Sequence, residues 1–141
     1  MSSILECPAC GFSNAYLQGV GMGNWSGYQN LLNFFSTSKR GRMNRKAPIE
    51  QVESAAFHLA TYKCARCNCP NQRMNYEVHL KNGQIIFPNF SCSYCRGKEL
   101  IEIDLSKIKL NSSPEYGEMG FFSCPKCKLS HMILCGELDW D

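Results

Sequence analysis

Four short motifs, in each of which two cysteines flank two other residues, constrain this chain more than any other feature. They account for eight of its ten cysteines. The four pairs are Cys7 and Cys10, Cys64 and Cys67, Cys92 and Cys95, and Cys124 and Cys127. A turn of this length brings two thiolates to adjacent corners of a tetrahedron around zinc. Each motif supplies half of a four-thiolate site, so four motifs predict two structural Zn²⁺ sites.

Ten cysteines in 141 residues are also compatible with disulfides, and the cellular compartment decides between the two chemistries. Residues 1–7 show no basic start followed by an apolar run, so the sequence predicts no secretory signal. No stretch approaches the roughly 18 consecutive apolar residues that span a bilayer. We therefore expect a protein of the cytoplasm or another reducing compartment, where stable disulfides are rare and metal is the better interpretation.

The residues around the motifs favour the same interpretation. Cys7-Pro-Ala-Cys10-Gly11 and Cys124-Pro-Lys-Cys127-Lys128 place Pro, and then Gly or a basic residue, where knuckle turns accept them. The pattern resembles that of the zinc ribbons, in which two knuckles at the tips of β-hairpins bind one ion. The resemblance covers the chain in separate pieces, and it implies an architecture and not a specific family.

The strand pattern around the two central motifs predicts which knuckles share an ion. Residues 74–80 alternate apolar and polar side chains, as a half-buried strand does, and Asn82-Gly83 is a strong hairpin-turn signal. Residues 84–87 and 100–105 supply further strand-like runs on either side of the third knuckle. We therefore expect residues 58–110 to form an inner zinc ribbon. Its ligands are Cys64, Cys67, Cys92 and Cys95.

By subtraction, the two ends of the chain form the second, outer ribbon. Residues 1–18 and 119–141 each contain one knuckle flanked by short apolar runs. Its ligands are Cys7, Cys10, Cys124 and Cys127. The inner ribbon is then an insertion in the outer one. Sequential pairing, of the first knuckle with the second and of the third with the fourth, is the alternative.

Two cysteines remain outside this scheme. Cys69 is expected to be a buried small residue, with a spare metal ligand as its functional interpretation, and Cys135 a buried residue of the last strand. The run Cys124-x2-Cys127-x3-His131-x3-Cys135 is also similar to the retroviral zinc knuckle, although both later gaps are one residue shorter. That interpretation would leave the first knuckle without a partner.

Residues 19–57 belong to neither ribbon and are expected to form an insertion with one or two short helices. Ser26 can cap a first helix whose apolar face covers residues 28–35. Pro48 fits the first turn of a second helix, with apolar residues at helical spacing as far as Leu59.

The fold class is therefore α+β, with two nested zinc-ribbon β-hairpin units and short helices in one domain over residues 1–141. Closed four-thiolate sites leave no coordination position for a substrate. His58, His79 and His131 are scattered and lack a metalloprotease arrangement. No nucleophile elbow or nucleotide-binding fingerprint is present. We therefore expect neither catalysis nor a small-molecule substrate.

Residues 39–46 are the most charged segment of the chain. Five of these eight residues are basic and none is acidic, so the segment carries +5 in a chain of net charge +3. On a mobile loop such a cluster is suited to phosphates, although a solvated loop is the simpler interpretation. Tyr62 is expected to add a stacking ring. The expected nucleic-acid contacts are Lys39, Arg40, Arg42, Arg45 and Lys46 of this loop, with Lys63, Arg66 and Arg73 near the second knuckle.

Two functions are compatible with these features. The preferred one is a non-catalytic accessory protein that binds nucleic acid, with RNA slightly favoured over DNA, through the basic loop and adjacent aromatic residues. The alternative is an adaptor or inhibitor that docks into a larger protein complex. Its surface would contain Trp25, Phe34, Phe35 and the acidic end of the chain, Glu137-Leu-Asp-Trp-Asp141, because large exposed apolar patches usually mark interfaces. The sequence predicts neither a membrane association nor an oligomeric state.

Overall fold

The structure is a computed structural model that describes residues 2–18, 27–107, 122–128 and 130–138 of the chain. The described part is α+β, with two antiparallel sheets and two α-helices. The strands are β1 (Ser2–Glu6), β2 (Ser13–Leu17), β3 (Val52–Cys64), β4 (Pro70–Leu80), β5 (Ile85–Ile86), β6 (Leu100–Ile103) and β7 (Ile133–Leu138). The helices are α1 (Tyr28–Asn33) and α2 (Thr37–Lys46), with 3-10 turns at Ile49–Gln51 and Leu105–Lys107. Neither α-helix has the length and apolar character needed to cross a bilayer.

The first sheet has the strand order β2-β1-β7. Its central strand β1 pairs with both neighbours, so that Ile4 lies opposite Ala15 on one side and Gly136 on the other. This sheet joins the first described segment of the chain to the last one. The buried core beside it contains ligand cysteines as well as apolar side chains. Its members are Leu5, Cys7, Tyr16, Ile103, Leu105, Phe122, Cys124, Met132 and Leu134.

The second sheet has the strand order β5-β4-β3-β6. β6 pairs with the end of β3, so that Cys64 lies opposite Leu100. The turn between β4 and β5 contains Asn82 and Gly83, as the sequence predicted. Gly83 has a φ of 90°, which favours glycine, and the Leu80 N–H donates to the Gln84 carbonyl at 2.8 Å.

The chain divides into two compact units. One comprises Met1–Gly19, Leu59–Arg73 and Phe90–Asp141, and the other comprises Val20–His58 and Met74–Asn89. In the second unit, both helices pack on β3 and β4. The buried residues of this core are Tyr28, Leu31, Leu32, Phe35, Met43, Ala47, Ala55, Phe57, Tyr76, Val78 and Leu80. The Tyr28 hydroxyl donates to the Ala47 carbonyl at 2.7 Å, which ties α1 to the end of α2.

The predicted second helix is wrong. After the turn at Ile49–Gln51, the chain enters β3 at Val52 and remains extended as far as Cys64. Ala55 and Phe57 are buried while Ala56 between them is exposed, which is the two-residue alternation of a strand. The spacing of the apolar residues is compatible with a helix and with a strand. The strand forms because this segment pairs with β4 and β6.

The basic segment is also a helix and not the predicted mobile loop. Residues 39–46 lie within α2, where the Ser36 hydroxyl accepts from the Lys39 N–H at 3.3 Å and caps the first turn. Arg45 and Lys46 occupy the last turn, where positive charge is favourable to the helix dipole. Met43 is only 5% exposed and anchors the inner face. The predicted first helix is present as α1, but its proposed cap, Ser26, lies outside the described residues.

Candidate metal centres

The structure brings the eight knuckle cysteines together in two groups of four. In each group, the four Sγ atoms lie within 4.8 Å of one another. The outer centre contains Cys7, Cys10, Cys124 and Cys127, and the inner centre contains Cys64, Cys67, Cys92 and Cys95. The first knuckle therefore pairs with the fourth and the second with the third. This agrees with the pairing inferred from the strand pattern, and sequential pairing is not what the described cysteines form.

The distances between sulfur atoms fit a metal and not disulfides. The Cys7–Cys127 and Cys10–Cys124 separations in the outer centre are 3.7 and 3.6 Å. In the inner centre, Cys64–Cys95 and Cys67–Cys92 are 3.5 and 3.6 Å apart. A zinc tetrahedron with Zn–S bonds of about 2.3 Å has edges of about 3.8 Å, whereas bonded sulfurs are about 2.05 Å apart. Both groups are therefore positioned to hold a structural zinc ion.

All four knuckles close with the same backbone turn. The carbonyl of the first cysteine accepts from the N–H four residues later, at 2.8 to 3.0 Å. That donor residue always lies in the left-handed region. The four donors are Gly11, Asn68, Arg96 and Lys128, with φ of 76°, 62°, 61° and 59°. The turn satisfies the backbone while the two thiols of each knuckle remain available to the metal.

Polar donors surround the sulfurs of the inner centre. The backbone N–H groups of Arg66, Tyr94 and Gly97 donate to Cys64, Cys92 and Cys95, each at 3.4 Å. The Asn71 side chain also donates to the Cys92 sulfur at 3.4 Å. These donors stabilise thiolates, because hydrogen bonds to the charged form favour it.

The space around the inner centre is restricted at Gly97. A Cβ atom added there would lie 3.2 Å from the Cys95 sulfur and 3.3 Å from the Cys64 sulfur. These contacts are closer than ordinary van der Waals distances, so a side chain here would have to displace the sulfur atoms by a few tenths of an ångström. No sequence motif points to Asn71 or Gly97, and the tertiary contacts alone reveal their part in the site.

The thiols of each centre differ in acidity before a metal binds. Burial opposes ionisation of Cys7, but the backbone N–H groups of Cys10 and Ala9 lower its pKa to about 6. The Phe12 N–H favours the Cys10 thiolate, yet burial and the neighbouring thiols raise the pKa of Cys10 to about 11. In the inner centre, burial again opposes ionisation, and backbone N–H donors with Asn71 lower the pKa of Cys92 to about 6. Burial raises the pKa of Cys67 in the same centre, so one thiol of each centre ionises well before a neighbour.

The two remaining cysteines belong to neither centre. Cys69 is 2% exposed, which agrees with its expected role as a small buried residue. Cys135 is half-buried on β7, and its sulfur lies 3.4 Å from Glu6 Oε2. Burial and this carboxylate raise the pKa of Cys135. Because the outer centre contains neither Cys135 nor His131, the retroviral-type arrangement is wrong.

The five basic residues of α2 fall into two classes. Arg42, Arg45 and Lys46 are exposed. Lys39 is half-buried with its ammonium 4.4 Å from the centre of the Phe35 ring, and burial lowers its pKa. The Arg40 Nε donates to the Leu32 carbonyl at 3.0 Å and thereby caps the end of α1. Lys39 and Arg40 are therefore engaged in packing the helices.

The predicted contacts near the second knuckle differ in the same way. Arg66 is exposed and Lys63 is half-buried. Arg73 Nη2 donates to the Ser93 hydroxyl at 2.6 Å and to the Ser91 carbonyl at 2.9 Å, so it fastens the third knuckle to β4. Tyr62 is 6% exposed, and burial raises its pKa to about 12; the expectation that it offers an exposed stacking ring is wrong.

The residues expected at a protein-docking surface are also only partly exposed. Phe34 is 52% exposed, with its ring 5.5 Å from that of Phe57. Phe35 is 7% exposed and packs against Tyr76, so it does not contribute to such a surface. Trp25 and residues 139–141 lie outside the described residues.

Comparison with known proteins identifies no relative of this chain. No protein-family model matches the chain, and neither the curated proteins nor the solved structures contain a match. The two four-cysteine centres, consistent with zinc-ribbon architecture, are the main chemical feature of the molecule.

Proposed function

We propose that this protein is a non-catalytic, zinc-stabilised nucleic-acid-binding module, with RNA slightly favoured over DNA, and that α2 provides the contact surface. The observation that carries this proposal is the arrangement of Arg42, Arg45 and Lys46. Arg45 and Lys46 stand at i+3 and i+4 from Arg42 on one helix, so each has its Cβ atom about 5–6 Å from that of Arg42, and all three residues are exposed. The segment contains no acidic residue to neutralise them.

A helix presents these charges to a phosphate backbone better than a mobile loop does, because less conformational freedom is lost on binding. Its inner face is held by Met43, by the Lys39 contact with Phe35 and by the Arg40 hydrogen bond. The cations on the outer face therefore project from a positioned element. The absence of base-specific groups beside them, apart from Asn44, favours binding that depends little on sequence.

Absence of catalysis belongs to the same proposal. The two centres consist of thiols only, and a zinc ion with four thiolate ligands has no open position for water or substrate. His58, His79 and His131 belong to neither centre. The zinc ions would then serve to hold the fold.

The experiment is a titration of zinc-loaded protein with labelled single- and double-stranded RNA and DNA at 50 and 200 mM salt. For single strands, the slope of log K against log salt is about −0.7 for each phosphate contact. Three contacts therefore predict an affinity loss of about 20-fold between the two salt concentrations. The variant R42Q/R45Q/K46Q should lose that part of the salt dependence.

A matched control is K81Q/K126Q/K128Q, which removes three exposed charges elsewhere in the chain. It should bind almost like the wild type. Equal losses in the two variants would assign binding to net charge alone and would contradict a contact surface on α2.

We also propose that the inner ribbon is an insertion within the outer one. In that case Cys7→Ser and Cys124→Ser disable the same centre, and the double variant should retain one zinc ion, as each single variant does. A variant that combines Cys7→Ser with Cys64→Ser should retain none. Metal analysis of the purified proteins distinguishes the two patterns.

A docking function is the second candidate, and the exposure of Phe34 and Phe87 favours it. These rings are 52% and 57% exposed, and exposed aromatic residues are enriched at interfaces. A complex formed through them would hardly change with salt. Phe34→Ser should weaken such a complex while leaving any nucleic-acid binding intact.

A further inference from the structure

The inner centre brings two knuckle turns together at one tip. The Cys64 and Cys95 sulfurs, one from each turn, are 3.5 Å apart. A Cβ atom on Gly97 would lie 3.4 Å from Arg66 Cβ, so Arg66 of the second knuckle is adjacent to the Arg96-Gly97-Lys98 segment of the third. Arg66 is therefore adjacent to the segment that carries two further cations, Arg96 and Lys98, about thirty residues later in the sequence.

The side chains of this tip are accessible. Arg66, Arg96 and Lys98 are exposed, and Tyr94 in the same knuckle is 44% exposed. The Tyr94 backbone is held in place because its N–H donates to the Cys92 sulfur at 3.4 Å. An exposed aromatic ring and exposed cations on the same pair of knuckles are the combination that binds single-stranded nucleic acid, with phosphates on the cations and a base on the ring.

Backbone strain at Arg96 is a second observation. Its φ of 61° lies in the left-handed region, which is unfavourable for a residue with a long side chain. The first two knuckles place Gly11 and Asn68 at the equivalent position, and these residues tolerate that conformation. Lys128 has the same conformation in the fourth knuckle, with a φ of 59°, so the contact role of Arg96 rests on its neighbours Arg66, Lys98 and Tyr94, and Lys128 serves as the comparison.

We propose that Arg66, Tyr94, Arg96 and Lys98 form a second contact surface, here called the inner zinc tip, which binds a single-stranded nucleic acid. This inference rests on the proposed nucleic-acid function, but it concerns residues in a different unit from α2. The three cations contact consecutive phosphates, and one base stacks on the exposed ring of Tyr94.

The same cations have a simpler possible role, since zinc with four thiolates carries two net negative charges and nearby cations offset them. The two roles have different consequences. Charge compensation predicts that removing the cations speeds the release of zinc to a chelator and leaves nucleic-acid binding unchanged. A contact surface predicts that removing the cations weakens nucleic-acid binding and leaves the rate of zinc release unchanged.

The experiment measures binding of a fluorescein-labelled 12-nucleotide oligouridine by fluorescence anisotropy at several salt concentrations. Arg96→Gly removes a charge and relaxes the backbone, so the fold is retained. Lys128→Gly makes the same change at the equivalent left-handed position of the fourth knuckle and is the matched control. Tyr94→Ala and Tyr94→Phe separate loss of the ring from loss of the hydroxyl.

We expect R96G to bind about fivefold more weakly at 0.1 M salt and to lower the salt slope by about 0.7. K128G should bind like the wild type. Y94A should lose at least about fivefold in affinity, because a stacked base contributes about 1–3 kcal/mol, whereas Y94F should bind normally. Equal effects of R96G and K128G, or none in R96G and Y94A, would overturn the inner zinc tip.

The variant R42Q/R45Q/K46Q in the same titration separates the two proposals. Loss of binding in that variant alone would refute the inner zinc tip and leave α2 as the contact surface. Loss in R96G and Y94A alone would refute α2 and leave the tip. A wild-type protein that is folded, zinc-loaded and unable to bind oligouridine would refute both.

Discussion

Asn71 is the side chain whose removal should most selectively weaken the inner zinc centre. It is 2% exposed, and its amide nitrogen donates to the Cys69 carbonyl at 3.2 Å and to the Cys92 sulfur at 3.4 Å. Its oxygen accepts from the Ser93 N–H at 3.0 Å and from Arg73 at 3.3 Å. One buried amide therefore links β4 to the metal ligand of the third knuckle.

The magnitude of the loss in Asn71→Ala can be worked out from these contacts. The Cys69 carbonyl loses one donor but still accepts from the Cys64 N–H at 3.1 Å, so this lost bond costs about 0.5–1.5 kcal/mol. A hydrogen bond to a charged thiolate adds about 1.5–3 kcal/mol. Ser93 is exposed, so water replaces Asn71 as the acceptor for its N–H, and this lost bond adds little to the cost. Because the contributions overlap, we expect a total of about 3 kcal/mol, or roughly 100-fold in zinc affinity.

The assay is competition between the zinc-loaded protein and a chromophoric chelator, in which the two ions are released in separate steps. The step assigned to the inner centre should shift by roughly two orders of magnitude, and the other should not move. A Cys10→Ser background, which disables the outer centre, identifies the inner step. Asn89→Ala, a change at an exposed asparagine, is the control.

Asn71→Asp should be the more disruptive change. The aspartate retains acceptors for Ser93 and Arg73 but places a carboxylate oxygen against the Cys92 thiolate, and like charges repel. It should therefore weaken the inner centre more than alanine does. Release steps identical to those of the wild type in N71A, or a shift of the outer step alone, would refute the role assigned to this amide.

Three further predictions concern the centres and their turns. Removal of both zinc ions with a strong chelator should unfold the sheets, because the free energy of metal binding at such sites is largely the free energy of folding. Far-UV circular dichroism that is unchanged in the metal-free protein would contradict this. Arg96→Gly and Lys128→Gly should each raise the free energy of unfolding of the zinc-loaded protein by about 1 kcal/mol, because glycine removes the left-handed penalty; denaturant titration measures it, and a loss of stability in both would show that the turns are not strained. Gly97→Ala should lower the free energy of unfolding by about 1–3 kcal/mol, because the new methyl group overpacks against the Cys95 and Cys64 sulfurs. Gly136→Ala is the control and should be neutral or slightly stabilising, because its new Cβ would lie 3.7 Å from Ile4 Cδ1. Equal shifts of the melting temperature in the two variants would refute the close contact at Gly97.

Local signals in the sequence predicted the parts of the molecule that depend on short segments. A pair of cysteines two residues apart requires a tight turn, so the cysteine spacing by itself predicts the four knuckles. Asn82 and Gly83 specify a hairpin turn through the left-handed preference of glycine, and that turn is present. The pairing of the second knuckle with the third could also be predicted from the sequence, because strands that flank a hairpin turn must be neighbours.

Where a pattern suited two structures, the sequence did not decide. The apolar residues from Val52 onward fit a helix and a strand, and β3 forms because β4 and β6 pair with it. Residues 39–46 look like a solvated loop by charge, yet lysine and arginine are good helix formers. The core contact of Met43, the Ser36 cap and the hydrogen bond from Arg40 to the end of α1 then favour α2.

The surroundings of the metal ligands were decided by tertiary structure alone. Asn71 and Arg73 reach the third knuckle, some twenty residues further along the chain, because β4 lies beside it. Arg66 meets Gly97 because two knuckles share one centre. The physical reason is range: a turn or a cysteine pair is specified by a few adjacent residues, whereas the hydrogen bonds and charges around a metal arise from segments that only the folded chain brings together.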